Sequence, residues 1–453
     1  MKLSVVSSTV KTDLCIGCGL CAALCPQNIL VMQWNRYGMY NPVEVSPCLK
    51  ECGLCMKVCP FADSEENEDT IGKKLYGAVP AIQHRPETGY YLATYVGYSK
   101  KHRPISASGG VATWLLETLL SEGVADYVIC VVPTGDPDRL FAFRVFDAPG
   151  EVHAGAGSAY YPVEMSRAVR QILTIPGRYA ITGLPCFIKA IRLAQRQNKK
   201  LQERIVVTIG LVCGQLKSRH FTDYVAAIAG VQGSVMRVRY RGKSPDQPAS
   251  NYHYTFTISD GGERKIFWSD GISEAWINRW FTPKACNYCD DIFAECADVT
   301  CMDAWLPEYS QDSRGTSLVL VRSPVVREVL ERGTGVALKP ISVERVVESQ
   351  RGIVAIKRHH LAYRLHLDPE GVPKKRVAPT RPINPFLWQE IVLKERMRSL
   401  SMDLWSAEKR DVESLRETMA PHLKRLAMVR LISNVITLPV RTLRRIQRKV
   451  GWH

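Results

Sequence analysis

The stretch CIGCGLCAALCP, Cys15 to Pro26, sets four cysteines at intervening gaps of two, two and three residues and follows the last with proline. The pattern nearly repeats at Cys48, Cys52, Cys55 and Cys59-Pro60, with one extra residue between its first two cysteines. Few structures need thiols at this density. An iron–sulfur cube needs four thiolates, and a run of this form wraps three around one cluster and sends the fourth to another. Cys15, Cys18, Cys21 and Cys59 are therefore expected at one 4Fe–4S cluster. Cys48, Cys52, Cys55 and Cys25 are expected at a second. Paired zinc sites are the alternative, but zinc knuckles place two C-x2-C pairs far apart. Gly17, Gly19 and Gly53 let the backbone curl close to each cube and aim N–H groups at its sulfurs. The intervening NRYGMYNP reads as a hairpin. Residues 1–62 thus predict a small ferredoxin-like α+β domain that carries electrons, so any chemistry on a substrate lies further along the chain.

The chain has 453 residues and 15 cysteines. That length implies two to four domains. MKLSVVSSTVKTDL lacks a long apolar segment, so no secretory signal is expected. No run approaches a membrane-spanning length. A cytoplasmic protein follows, with cysteines holding metals rather than disulfides. The net charge of +16 is uneven: residues 351–453 carry 22 Lys and Arg against 9 Asp and Glu, leaving only +3 for the rest. The basic character belongs to the tail.

Residues 63–92, with the polar SEENEDTIGKK, read as a linker. From 93 to 366, strands alternate with helices, which predicts an α/β body with a mixed, mainly parallel sheet. Ser106, Ser108, Gly109 and Gly110 open a helix with Trp114, Leu115, Leu119 and Leu120 on its inner side. Such a turn can offer N–H groups to an anionic cofactor, or serve as an ordinary N-cap. A second glycine turn is GAGSAYYP, from Gly155. No dinucleotide fingerprint or phosphate loop occurs. Cys186 and Cys213 follow predicted strands, where cofactors gather in α/β sheets. Cys286 and Cys289 form a C-x2-C pair that needs two more ligands. Either Cys186 and Cys213 supply them, or Cys296 and Cys301 complete a local site with zinc as a candidate; spacing leaves both open. Arg103, Lys189 and Arg241 are candidate anion contacts, although solvated surface charge is the commoner role for such residues. Asp303, which follows the last cysteine region, is a candidate site position or equally a structural cap. His359 and His360 are expected on the surface. No Ser-His-Asp set or H-E-x-x-H is present.

ASGGVATWLL at Ala107, GSAYYP at Gly157, GLPC at Gly183, GLVC at Gly210, CNYCDD at Cys286, ADVTCMDAW at Ala297 and RGTSLVLVR at Arg314 occur in that order. Together they resemble the beta-subunit family of coenzyme F420-reducing hydrogenases and dehydrogenases. The resemblance implies an FAD-binding oxidoreductase with a further 4Fe–4S cluster, moving a hydride between flavin and coenzyme F420 or another two-electron partner. It implies cluster ligands at Cys186, Cys213, Cys286 and Cys289, leaving Cys130, Cys296 and Cys301 out. It implies flavin contacts at Ser108, Gly109, Gly110, Thr113, Gly157, Ser158, Tyr160 and Gly183. Leu184 stands where the family commonly has Thr, so a hydrogen bond from that side chain is lost. A redox partner protein or ferredoxin is implied, and electron-transfer subunits are the alternative role. A ferredoxin-driven reductase of a larger organic substrate is a further alternative.

The tail, 367–453, opens with a Pro-rich basic linker and continues as two or three helices. Leu423, Leu426, Val429, Ile432, Val435 and Ile436 recur at helical spacing, and Pro439 should break or kink the last helix. Such a basic stripe suits either a membrane interface or packing on the body or on a partner subunit. Nucleic acid is not expected, since the body is nearly neutral and the tail lacks clustered aromatics.

Overall fold

The computed structural model describes residues 4–49, 52–62, 66–367, 375–382, 384–406 and 411–450, with side chains described to residue 436 in the last helix. The N-terminal domain holds a hairpin of β1 (Leu30–Trp34) and β2 (Tyr40–Glu44), between short helices Leu20–Leu24 and Leu54–Lys57. Asn35 makes the turn: its Oδ1 accepts from the N–H of Tyr37 and of Met39. Gly17, at φ +72°, passes so close that an added Cβ would lie 2.7 Å from the Tyr40 carbonyl. The curl around the first cysteine run is thus possible only for glycine.

The segment expected as a polar linker is ordered from residue 66; 63–65 lie outside the described residues. Helix Glu68–Tyr76 begins with a capping box, Asn67 accepting from the Thr70 N–H and Thr70 from the Asn67 N–H. Its polar composition concealed one apolar side, and Ile71 and Tyr76 are buried. A small pair, β3 (Gln83–Arg85) and β4 (Gly89–Tyr91), follows.

The body is built on β5 (Ala93–Ser99), β6 (Tyr127–Pro133), β7 (Phe141–Phe146), β8 (Tyr179–Gly183) and β9 (Ile205–Leu211). A separate meander comprises β10 (Val235–Gly242), β11 (His253–Ile258) and β12 (Glu263–Phe267). Strands β13 (Val299–Asp303), β14 (Ser317–Val321) and β15 (Val336–Pro340) complete an eight-stranded sheet of order β15-β5-β14-β13-β9-β8-β6-β7. Its centre, β6-β8-β9-β13, is parallel, and antiparallel strands flank it on both sides.

Side chains alternate across the sheet. Val128, Ala180 and Val207 face a core with helix Val111–Ser121, while Ile129, Tyr179 and Ile181 face helix Pro185–Gln197. That second core is continuous with Leu20, Ala22 and Leu24 of the N-terminal domain. The two cysteine-bearing regions therefore share one hydrophobic interior.

Two tail helices, Pro385–Ser406 and Val412–Val450, pack together. The break expected at Pro439 is absent: the backbone stays helical through it. Proline removes one helical hydrogen bond, and the flanking turns still propagate. Leu393, Met397, Trp405, Leu415, Met419, Leu426 and Val429 join the core around Tyr224, Trp280 and Phe281. The basic linker also docks where described: Arg376 pairs with Glu295, Asp290 and Asp69. Among the described residues, no helix is long and apolar enough to cross a membrane.

Candidate functional site

Cys15, Cys18, Cys21 and Cys59 line one cavity, walled by Val5, Leu14, Ile16, Val58 and Phe61. The second motif thus supplies the fourth thiol of the first set. N–H groups converge on the sulfurs: Gly17 on Cys15 at 3.4 Å, Leu20 on Cys18, and Phe61 and Ala62 on Cys59. Burial pushes the Cys15 thiol up to about 12, and Cys18 and Cys21 rise further for the same reason. A buried thiolate here needs a cation to offset its desolvation, which a metal cluster provides. The donor set fits the group.

Burial also raises the Cys55 thiol, with Cys52 and Cys48 adding to the shift. The N–H groups of Val5 and Met56 are directed at Cys55, and the Cys48 thiol donates to Gln27 at 3.8 Å. Cys25 is half-buried against the same core, and Cys52 is exposed. Among the described residues, no three His, Cys, Asp or Glu side chains close on a single metal-ion position.

In the body, Cys186 lies in the first turn of helix Pro185–Gln197, and Cys213 lies two residues beyond β9. Cys286 and Cys289 come from a tight turn around Lys284–Asn287. Burial raises Cys186 most, then the charges of Cys289, Cys213 and Cys286. Cys213 is pushed up to about 12 by burial and feels Cys286 and Cys289. The Leu216 N–H donates to Cys286 Sγ at 3.2 Å. Of the two arrangements left open by spacing, the fold brings together Cys186, Cys213, Cys286 and Cys289. Cys296 faces Glu68, Asp291 and Lys189 instead. Cys301 and Cys130 lie in strands within the opposite core.

Sequence reasoning missed Lys357. It is 3% exposed, and its ammonium donates to Cys289 Sγ at 3.1 Å and to the Asp291 carbonyl at 2.7 Å. Surface positions are expected for His359 and His360 close by, and a lone lysine before them carries no local signal. Its neighbours divide: His359 is exposed, whereas His360 is half-buried and held down at about 4 by burial and by Arg364 and Lys394.

At the same, C-terminal end of the parallel strands, Ser108 Oγ donates to the Thr316 carbonyl at 2.6 Å and the Gly109 N–H to Ser317 Oγ at 3.1 Å. A Cβ on Gly109 would lie 2.6 Å from the Gly97 carbonyl, so packing alone demands glycine. Gly110 caps helix Val111–Ser121, which buries Thr113. The short helix Pro149–Gly155 packs on that helix and leads into Gly157 and Ser158. Gly183 ends β8, against Ile188.

Arg241 ties these pieces together. It pairs with both Asp303 oxygens at 3.1 Å, donates to Tyr160 Oη at 3.3 Å, reaches the Ala107 carbonyl at 3.5 Å and lies over the Tyr252 ring. The expectation of solvated charge fails for Arg241 and Arg103, which are 6% and 7% exposed. Arg103 binds Asp312, Thr316 and the Gly315 carbonyl. Lys189 is also withdrawn from solvent, pairing with Glu68 at 3.2 Å. Loops at the sheet end fold over Arg103 and Arg241, a helix carries the partner of Lys189, and burial is tolerated because each has an acceptor. Lys243 donates to the carbonyls of Arg103, Ser108 and Arg314. Burial, then Arg103 and Arg241, hold it down at about 8. Ser106 Oγ, Arg241 Nε and Tyr254 Oη are buried here with no partner. Such orphaned groups fit a polar, anionic cofactor such as FAD.

Residues 94–170 match the N-terminal family model of the coenzyme F420 hydrogenase/dehydrogenase beta subunit, and 177–342 match its C-terminal model. Residues 14–62 match a 4Fe–4S dicluster domain. The chain is similar to the coenzyme F420-dependent sulfite reductase of Methanocaldococcus jannaschii, 24% identical over 366 residues, which is 76% of this chain and 50% of that protein. An uncharacterized protein of the same organism is 27% identical over 228 residues, 45% of this chain and 59% of that protein. The chain thus spans only 50% and 59% of the lengths of these curated relatives. A chain from the F420-reducing NiFe hydrogenase complex of Methanosarcina barkeri, studied as a xenon derivative, aligns with a TM-score of 0.49 at 18% identity, covering 65% of this chain and 98% of that one. With both beta-subunit models and the dicluster model matched in order along it, the chain belongs to the coenzyme F420 hydrogenase/dehydrogenase beta-subunit family and carries a 4Fe–4S dicluster domain at its N-terminal end.

Proposed function

We propose that this chain is a flavin- and iron–sulfur-dependent oxidoreductase that exchanges a hydride with coenzyme F420 or a similar carrier and passes electrons singly to a partner. The observation that carries this reading is the convergence of Cys186, Cys213, Cys286 and Cys289 from three separate segments. They lie in a body whose core is continuous with that of the dicluster domain. Cys186, Cys213, Cys286 and Cys289 would hold a third cluster. FAD, when bound, supplies the conversion between two-electron and one-electron transfer. The protein's part is placement. Arg241, anchored by Asp303, joins the Ala107 turn to Tyr160, and the orphaned Ser106 hydroxyl and Arg241 Nε would meet the polar cofactor. The body, 93–366, would be the catalytic unit.

The exposed Cys52 supports an outlet. Cys48, Cys52, Cys55 and Cys25 would hold a cluster near the surface, where it would supply single-electron transfer to a ferredoxin or other redox protein. That same exposure favours the second reading, an electron-transfer subunit that depends on a partner for substrate turnover. Anaerobic preparation should yield about twelve irons, four per cluster, and one FAD. Reduced F420 should then drive reduction of a dye. Bound zinc without flavin would overturn the proposal, and full cofactor loading without F420 oxidation would leave the subunit role.

The tail adds a lesser proposal. Leu431, Ile432, Val435 and Ile436 are exposed beyond Val429, where the helix still packs on the body, and Met428 is exposed beside it. They would lie in a membrane interface, peripheral to the cytoplasmic face. Anionic vesicles should retain the full chain, and Leu431→Asp with Val435→Asp should abolish retention; equal retention of both proteins removes the idea. The basic residues Arg441, Arg444, Arg445, Arg448 and Lys449, expected to assist, have side chains outside those described.

A further inference from the structure

The surroundings of the two cysteine regions differ in charge. At the N-terminal set, other thiols are the main charges acting on Cys18 and Cys21, and Lys189 is felt at Cys59. At the body set, Lys357 touches Cys289 directly, and neither of its acceptors is a carboxylate. Arg279 is 5% exposed, and its Nε and Nη2 have no hydrogen-bond partner. Its guanidinium acts electrostatically on Cys286 and Cys213. The backbone at Arg279 is left-handed, at φ +64°. That conformation is unfavourable for a residue with a side chain, and it persists beside the buried Trp280 and a second left-handed residue, Phe281. Lys357 is thus fixed against a thiol, and Arg279 is a second buried cation with unsatisfied donors whose charge is felt at Cys286 and Cys213.

We propose that Lys357 and Arg279 act as a fixed positive clamp that raises the reduction potential of the body cluster above those of the N-terminal pair, making it the electron-collecting centre of the chain. This rests on the body cysteines being cluster ligands. The physical argument is electrostatic. Reduction of a 4Fe–4S cluster adds one electron, makes and breaks no bond, and moves no proton. The negative charge of the cluster and its thiolates rises by one unit. A permanent positive charge held in a low-dielectric interior stabilises that state more than the oxidised one. The N–H donors found at both sites act in the same direction at each, so the cations make the difference. The electron is supplied by the reduced flavin or by the N-terminal clusters, and the same cations set which of them can give it up.

The test is a redox titration followed by electron paramagnetic resonance on the anaerobically prepared full chain, with Cys186→Ser identifying the body signal. In the unsubstituted chain the body cluster should be reduced first. Lys357→Met should keep about twelve irons and weaken body-cluster reduction about tenfold, or about 59 mV for one electron. The N-terminal signals should not move, and Lys357→Arg should restore the value. Arg279→Gln should shift the same signal in the same direction, and it serves where Lys357→Met loses iron. Reduction of the body cluster last in the unsubstituted chain, or unmoved midpoints in iron-replete variants, overturns the clamp. About eight irons in the unsubstituted chain instead refutes the third cluster, and the clamp falls with it.

Discussion

The N-terminal and body cysteines use the same ligand chemistry, but the chain assembles them by different routes. In the N-terminal domain, eight thiols lie within residues 15–59, and glycine turns and a short hairpin suffice to fold them inward. In the body, four thiols come from segments that meet only once the parallel strands β8 and β9 are in register. A local site depends on its own loops. A site assembled by the sheet depends on every charge and contact that holds the sheet's edges.

This contrast can be broken most strongly at the thiols. Cys186→Ser should lose four of about twelve irons and more than about a hundredfold of F420-linked dye reduction, while the N-terminal signals survive. Cys18→Ser should do the opposite, sparing hydride exchange at the flavin. Loss of all iron in either variant would mean that the two regions do not load separately.

A second effect, on stability with the cysteines left in place, is expected where the segment after the dicluster domain meets the body. Arg192 is buried and donates to Asp298, Tyr76, Thr208 and the Cys296 carbonyl. Arg192→Met would strand the Asp298 carboxylate, at a cost of about 3–5 kcal/mol, measurable by urea unfolding of the loaded protein. A cost under about 1 kcal/mol would show that this seam does not hold the body together.

The surroundings of Arg241 should respond less. Arg241→Gln should weaken FAD binding by about ten- to hundredfold, the equivalent of one or two charged hydrogen bonds, read as flavin lost on gel filtration. Iron content should hold; unchanged flavin would place the cofactor elsewhere.

The smallest effect concerns the tail. Burial alone would raise the Glu390 carboxyl, but Arg430 and Lys394 outweigh it and hold it down at about 2. Its pairs are at 2.7 Å to each partner. A lowered carboxylate stabilises fully above its unfolded value, about 4.3, and loses that contribution as pH falls through about 2. Glu390→Gln should therefore speed hydrogen exchange in helix 412–436 by about 1 kcal/mol, discounted for partial exposure. The difference should be constant from pH 8 to 5 and fade below.

Much of the site was legible before folding, but unequally. The crossover of Cys59 to the first set follows from the motif, because short spacing leaves few ways to close a ring of sulfurs. The polar segment after residue 66 holds a helix with one buried face, which its composition hides. Arg241 and Arg103 were misjudged because a charge's partner, not its identity, decides whether it can be buried. Asp303 and Asp312 stand far from them in sequence. Lys357 carried no local mark at all.

By itself, then, the sequence determined the dicluster pattern, the order of family motifs and the alternation of strands and helices. Each rests on neighbours close along the chain, where bond geometry and side-chain periodicity limit the outcomes. Tertiary structure decided which body cysteines meet, which cations are buried beside them and how much of the tail docks. Those outcomes depend on desolvation and charge pairing between residues distant in sequence, and only the folded sheet sets their distances.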